Sequence, residues 1–150
     1  MSTLTLNNAQ FGQSATASNN FVIRDGNDGI LKFSRGNVGA TTIDVAYIDA
    51  SNNFNAIAFN SLSDANKKKD IATITNAVNV VKELNAVSFK WIEDDRDSFG
   101  VIAQELEKII PAAVSETDGV KSVNYHCITA FLIAAVQDLS KRIEELESKQ

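Results

Sequence analysis

Apolar and polar positions follow two different rhythms along this chain. In residues 1–62 they form short alternating stretches: Phe21-Val22-Ile23, Ile30-Leu31-Lys32-Phe33, Ile43-Asp44-Val45-Ala46-Tyr47-Ile48 and Phe54-Asn55-Ala56-Ile57-Ala58-Phe59. Turn formers separate them, in Asp25-Gly26-Asn27-Asp28-Gly29, Arg35-Gly36-Asn37 and Ser51-Asn52-Asn53. The spacing predicts about four short strands. A lone segment of roughly sixty such residues buries little apolar surface, and gains stability by winding around identical copies or closing onto another domain. The expectation is an oligomeric, β-rich shaft.

From Asp70 onward the period changes. Ile71, Ile74, Val78, Val81 and Leu84 recur at three- and four-residue steps and predict an amphipathic helix. Residues 87–92 alternate as a strand, with Phe89 and Trp91 on the side opposite Lys90, and the acidic run 93–97 closes it as a turn. A second helix is predicted over 99–110, stopped by Pro111, and a further strand over 120–125 after the Asp118-Gly119 turn. The last segment, about 127–148, reads as a long helix. Leu132, Leu139 and Leu146 fall seven apart, with Val136 and Ile143 in the alternate core slots. Self-association through this stripe is expected. β-branched residues at one slot with leucine at the other lean towards parallel dimers, and two heptads do not decide the number of helices. The fold class is α+β.

Composition removes several functions from consideration. A net charge of -5 and a pI near 4.8 lack the basic face a nucleic-acid partner needs. No apolar run approaches the roughly 20 residues that span a bilayer, so no membrane insertion is expected. The first thirty residues carry polar side chains where a signal peptide would be apolar, and a reducing compartment at folding is expected. Cys127 is the single cysteine, which excludes an internal disulfide, and with one histidine it makes no structural zinc site. No phosphate-binding glycine loop occurs. No cofactor and no metal are expected.

Candidate chemistry sits at the seam between the two rhythms, in Ser63-Asp64-Ala65-Asn66-Lys67-Lys68-Lys69-Asp70-Ile71. A serine beside a lysine is one of the few two-residue arrangements that cut a peptide bond. A lysine at its usual pKa of about 10.4 is protonated at neutral pH, so a base of this kind needs burial or neighbouring cations. A five-residue offset turns a helix by about 500°, so Ser63 and Lys68 meet only through a non-helical loop or across subunits. The plainer alternative is that Ser63 or Asp64 caps a helix and Lys68 is a solvated charge. His126 and Cys127, adjacent on a helix, point about 100° apart and read as a cap and a small buried thiol. Gln104 and Glu105 read as a solvent-facing polar pair with a structural hydrogen-bonding role. Trp91 reads as core or interface, and Phe21, Phe33, Tyr47, Phe54 and Phe59 as core.

Several ordered motifs together resemble one family. They are Ser63-Asp64-x-x-x-Lys68-x-x-Ile71, Val87-Ser88-Phe89-x-Trp91, Gly100-Val101-Ile102-Ala103-Gln104-Glu105-Leu106-Glu107, Pro111-x-x-Val114, and Lys121-Ser122-Val123-Asn124-Tyr125 before a long helix. The family is the self-cleaving C-terminal intramolecular chaperone domain of phage tail spikes and tail fibres, best known from phage endosialidases. The resemblance implies two domains: a β-rich shaft end over 1–62 and a chaperone domain over 63–150. It implies a homotrimer that templates the winding of its own upstream shaft and then cuts itself off at Leu62–Ser63. By the same likeness Ser63 is the nucleophile and Lys68 its general base, in a single-turnover serine endopeptidase. The implied location is the virion tail fibre or spike, assembled in the bacterial host cytoplasm. Two alternatives remain open: a non-cleaving trimerisation and capping domain, and a receptor-binding tip that reads the host surface through the β-rich half.

Overall fold

The computed structural model describes residues 8–11, 16, 20–25, 30–37 and 43–149, and the chain divides into two units, Met1–Lys67 and Lys68–Gln150. In the first unit the alternating stretches form an antiparallel sheet in sequential order: β1 (Asn8–Phe11), β2 (Phe21–Asp25), β3 (Leu31–Arg35), β4 (Ile43–Ile48) and β5 (Phe54–Ala56). The predicted strands are present, although β5 stops at Ala56, and β1 is an addition. With Phe11 its only large apolar residue, Asn8-Ala9-Gln10-Phe11 carries no alternation to read. The Gly26-Asn27-Asp28-Gly29 turn lies outside the described residues.

Residues opposite each other in register share a face of a sheet. Ile23 pairs with Phe33 and Phe33 with Ala46, while Leu31 pairs with Ile48 and Ile48 with Phe54, so this face is apolar. Phe33, Phe54 and Phe59 stack in a tilted row with centroids 5.9 and 5.6 Å apart. The other face sets the buried Val22 beside Ser34 and is otherwise polar and locked by charge. The register shifts between Phe33 and Ser34, bringing Asp44 opposite the buried Ser34. Ser34 Oγ donates to Asp44 Oδ1 at 2.7 Å, and Arg24 reaches the same oxygen at 2.6 Å. The serine bond first, then the guanidinium, hold the Asp44 carboxyl below its ordinary range.

The β4–β5 turn is built on Asp49, whose carboxylate accepts the backbone N–H groups of Ser51 and Asn53 and the side-chain amides of Asn53 and Asn55. Those donors, the Asn53 N–H foremost, lower its pKa too. Contrary to the expected core placement, Phe21, Tyr47, Phe54 and Phe59 are exposed in this chain. On the Ser34 face, by contrast, Val22 and Ser34 are buried.

The second unit contains α1 (Ala77–Glu83), a hairpin of β6 (Val87–Lys90) and β7 (Asp97–Gly100), α2 (Ala103–Ile109), a hairpin of β8 (Val114–Thr117) and β9 (Val120–Val123), and α3 (Tyr125–Glu147). The architecture is α+β. Two predicted helices are shortened. Residues 71–76 stay out of α1 because Asn76, at φ 59°, leaves the right-handed path, and Thr73, Ile74 and Thr75 favour extended backbone. Phe99 and Gly100 belong to β7, paired with Ser88 and Val87, so α2 starts only at Ala103. A 3-10 turn at Pro111–Ala113 ends it where proline predicts. The Asp118-Gly119 turn has positive φ at both residues, as a two-residue hairpin of the I′ type demands.

The core lies where α3 meets α1 and α2. Leu106, Ile110, Ala113 and Ile128 form one buried cluster, and Ala77, Val78 and Ala135 another. Phe131 packs against both. All the inward residues of α3 lie on one of its sides.

Candidate functional site

Leu62 and Ser63 adjoin in extended, exposed chain at the end of the first unit, and Leu62 is 99% exposed. Lys68 is exposed as well and opens the second unit, across the boundary from both. Between them Ala65–Lys67 form one 3-10 turn. Asp64 starts that turn: its Oδ1 accepts the Asn66 N–H at 2.8 Å and its carbonyl the Lys67 N–H at 3.1 Å. Asp64 is thus the capping residue of this segment. The residues between Ser63 and Lys68 thus form a short turn rather than an α-helix.

Downstream, the recognisable motifs position structure. Gly100 is required by a close approach, since a Cβ there would collide with the Tyr125 hydroxyl. That hydroxyl accepts the Val101 N–H at 3.4 Å, tying the end of β7 to the first turn of α3. Gln104 and Glu105 are exposed, as expected, and Glu105 accepts the Asn85 side-chain amide at 3.2 Å. Glu107 and Glu116 both bind the Lys121 amine, at 2.9 and 2.7 Å, joining α2 to the β8–β9 hairpin. These bonds, Glu116 first, raise the Lys121 pKa.

Asn124 and Tyr125, expected in a strand, do other work. Asn124 caps α3 by accepting the His126 N–H at 3.0 Å, and Tyr125 is the first helical residue. The role of Tyr125 was missed because the glycine that receives its hydroxyl lies twenty-five positions away, beyond any local pattern. The histidine–cysteine pair is structural: the His126 N–H enters the cap and the half-buried Cys127 packs on the Leu106 cluster. Trp91 is half-exposed and meets Phe89 edge-on at 5.3 Å. Among the described residues no group of three or more metal-ligating side chains gathers, and no helix is long and apolar enough to cross a membrane.

The most extensive unpartnered feature of the second unit is the outer side of α3. Leu132, Val136, Leu139, Ile143 and Leu146 are 44% to 64% exposed, and Ile133 beside them is 56% exposed. This is the heptad stripe anticipated from the sequence, and it adjoins the side of α3 that carries Ile128, Phe131 and Ala135 into the core.

Two small hairpins and a long helix with an exposed apolar side complete this unit around its helical core. Residues 63–115 match the family described as Chaperone of endosialidase, and the match begins at Ser63. The chain is also 31% identical to long tail fiber protein Gp37 of Enterobacteria phage T2 over 95% of its length, and 29% identical to that of Salmonella phage S16 over 90%. Long tail fiber protein Gp37 of Enterobacteria phage M1 is 45% identical over 53 residues, 33% of this chain. The chain spans 11%, 22% and 21% of the length of these three relatives. Likeness to the first two runs through the sheet unit as well as the helical one.

Proposed function

We propose that this chain belongs to a phage tail fibre or spike, with residues 63–150 acting as an intramolecular chaperone for the β-rich segment 1–62. It associates as a homotrimer, templates the winding of the preceding strands, and releases itself by cutting Leu62–Ser63. The observation that carries the assembly step is the exposed stripe on α3. With Ile133 flanking it, the apolar side is wider than a two-helix seam needs and suits a bundle of three. The family match and the tail-fibre relatives support the chaperone role and a place in the virion. Assembly in the host cytoplasm is part of the proposal.

The chemistry follows from the residues at the seam. Ser63 Oγ attacks the Leu62 carbonyl carbon while the Lys68 amine takes the hydroxyl proton and returns it to the departing Ser63 nitrogen. The product is an ester between the Leu62 acyl group and Ser63 Oγ. Water then hydrolyses the ester, leaving a carboxylate on Leu62 and a free amine on Ser63. A lysine base requires burial that the exposed Lys68 of a single chain lacks. Association supplies it, so cleavage reports on assembly. The same exposure favours a second reading, a non-cleaving capping trimer. A host-binding role draws support from an open groove of about 520 Å³ on the sheet, lined by Lys32, Asp44, Tyr47 and Asn55.

The test is intact mass under denaturing conditions for the wild type, Ser63→Ala and Lys68→Ala. Two fragments joining at Leu62–Ser63 in the wild type alone support cleavage by this pair. One full-length species in all three samples, sedimenting as a trimer, selects the capping reading. A monomer overturns the assembly step itself.

A further inference from the structure

We infer that the exposed lysine run at the seam, Lys67-Lys68-Lys69, is a processing site for a second enzyme, an endopeptidase that takes a basic side chain and cuts beside it. Such a cut parts the two units without Ser63, so the inference does not rest on self-cleavage.

An endopeptidase binds its substrate as an extended strand of several residues, so a folded chain is cut where such a strand is easiest to present. Residues 57–73 are all exposed, and from 57 to 76 the chain forms no strand and no helix beyond the 3-10 turn at Ala65–Lys67. The Asn66 and Lys67 N–H bonds to Asp64 close that turn. No residue of 57–73 belongs to either core cluster, so opening the turn disturbs neither.

The bonds within the run differ. Asp70 follows Lys69 directly and sits at φ 53°, off the extended path. Its carboxylate also lies next to that bond, where an acidic pocket shaped for lysine repels it. The bonds taken are therefore Lys67–Lys68 and Lys68–Lys69. Water adds across the bond, leaving a carboxylate on one lysine and a free amine on the next. Association that buries the Lys68 amine still leaves the Lys67 bond on offer. A cut at Lys67–Lys68 made first separates Ser63 from Lys68 and forestalls self-cleavage.

The other basic residues are held in structure. Those of the sheet lie in β2 and β3, and Lys82, Lys90, Lys108, Lys121, Lys141 and Arg142 lie in helices or strands of the second unit. Reaching them requires opening hydrogen-bonded elements, at a free energy that rises towards that of unfolding. Arg96 stands in a turn, but its carbonyl accepts the Trp91 N–H at 3.0 Å and its own N–H is bound by Asp94 at 3.1 Å. That closed turn is no extended strand. A cut after Lys149 removes Gln150 alone and does not divide the chain.

The test is timed digestion of the native, full-length Ser63→Ala chain with a low ratio of trypsin, followed by intact mass. The first dividing cuts should fall at Lys67–Lys68 and Lys68–Lys69, with the helical piece outlasting them. Lys67→Gln, Lys68→Gln and Lys69→Gln together should slow division at least about tenfold. A first dividing cut after any other lysine or arginine overturns the inference, as does a triple variant divided as fast as its parent. Cutting chiefly at Lys69–Asp70 overturns the choice of bonds. A wild type already cut at Leu62–Ser63 should lose residues 63–67 or 63–68 from its helical piece in the same digestion. Self-cleavage and this second cut therefore succeed or fail separately.

Discussion

The sheet unit and the helical unit answer the same problem of burial in different ways. In the helical unit α3 closes over α1 and α2, and Leu106, at 1% exposure, sits in a core made from four separate elements. Among the described residues the sheet unit has one layer, and its apolar face leaves Phe21, Leu31 and Phe54 open. Its ordered centre is polar, the Arg24–Ser34–Asp44 network. A single sheet becomes stable when something covers it. The contrast gives the proposed template a physical reason to exist: the helical unit closes a core of its own, and the described sheet leaves apolar side chains open.

The sharpest way to break this contrast is to open the self-sufficient core. Leu106→Ala should cost about 3 kcal/mol, because the cavity lies between elements that cannot collapse onto it. Trp91, the only tryptophan, reports the helical unit in a urea titration. A loss under about 1 kcal/mol would mean that this unit, too, is held from outside.

Gly100→Ala should destabilise the same unit by about 2 kcal/mol through collision with the Tyr125 hydroxyl. Adding Tyr125→Phe removes the clashing oxygen and should recover part of the loss. No recovery would place the strain elsewhere. Asn124→Ala removes the α3 cap and should cost about 1 kcal/mol, read as a lowered melting temperature.

The smallest effects come from pH, and they separate the units. Asp44 and Asp49 have lowered folded pKa values, so their contribution is present above the unfolded carboxylate value of about 4 and is lost as pH falls through the folded ones. Lys121 has a raised folded pKa, so its contribution holds below the unfolded value of about 10.4 and is lost as pH rises through the folded one. Acid should therefore loosen the sheet first, seen in the Tyr47 signal of a Tyr125→Phe chain. Alkali should loosen the helical unit first, seen in Trp91. Asp44→Asn should flatten the acid limb, and an unchanged limb would remove the network from the account.

Much of this was legible where the signal was local and repeated. The alternation at Val87, Phe89 and Trp91 located β6, and the five apolar positions of α3 located both the helix and its free side. Pro111 marked the end of α2. What was not legible depended on partners far away in sequence. Phe99 looked helical beside Val101 and Ile102, yet its place is fixed by pairing with Ser88. Val114 to Thr117 carries no strand pattern and is drawn into one by the Asp118-Gly119 turn and β9. At the seam, Ser63 and Lys68 were visible as residues and Asp64 as a capping residue, whereas the element it caps is one 3-10 turn, too short to announce itself.

The position of α3 along the chain has a consequence in time. A ribosome makes the sheet before it makes the stripe on α3. Under the proposed assembly, products of premature termination lack the stripe and are left out without any proofreading factor. Completeness of the message is then read out as the ability to find a partner.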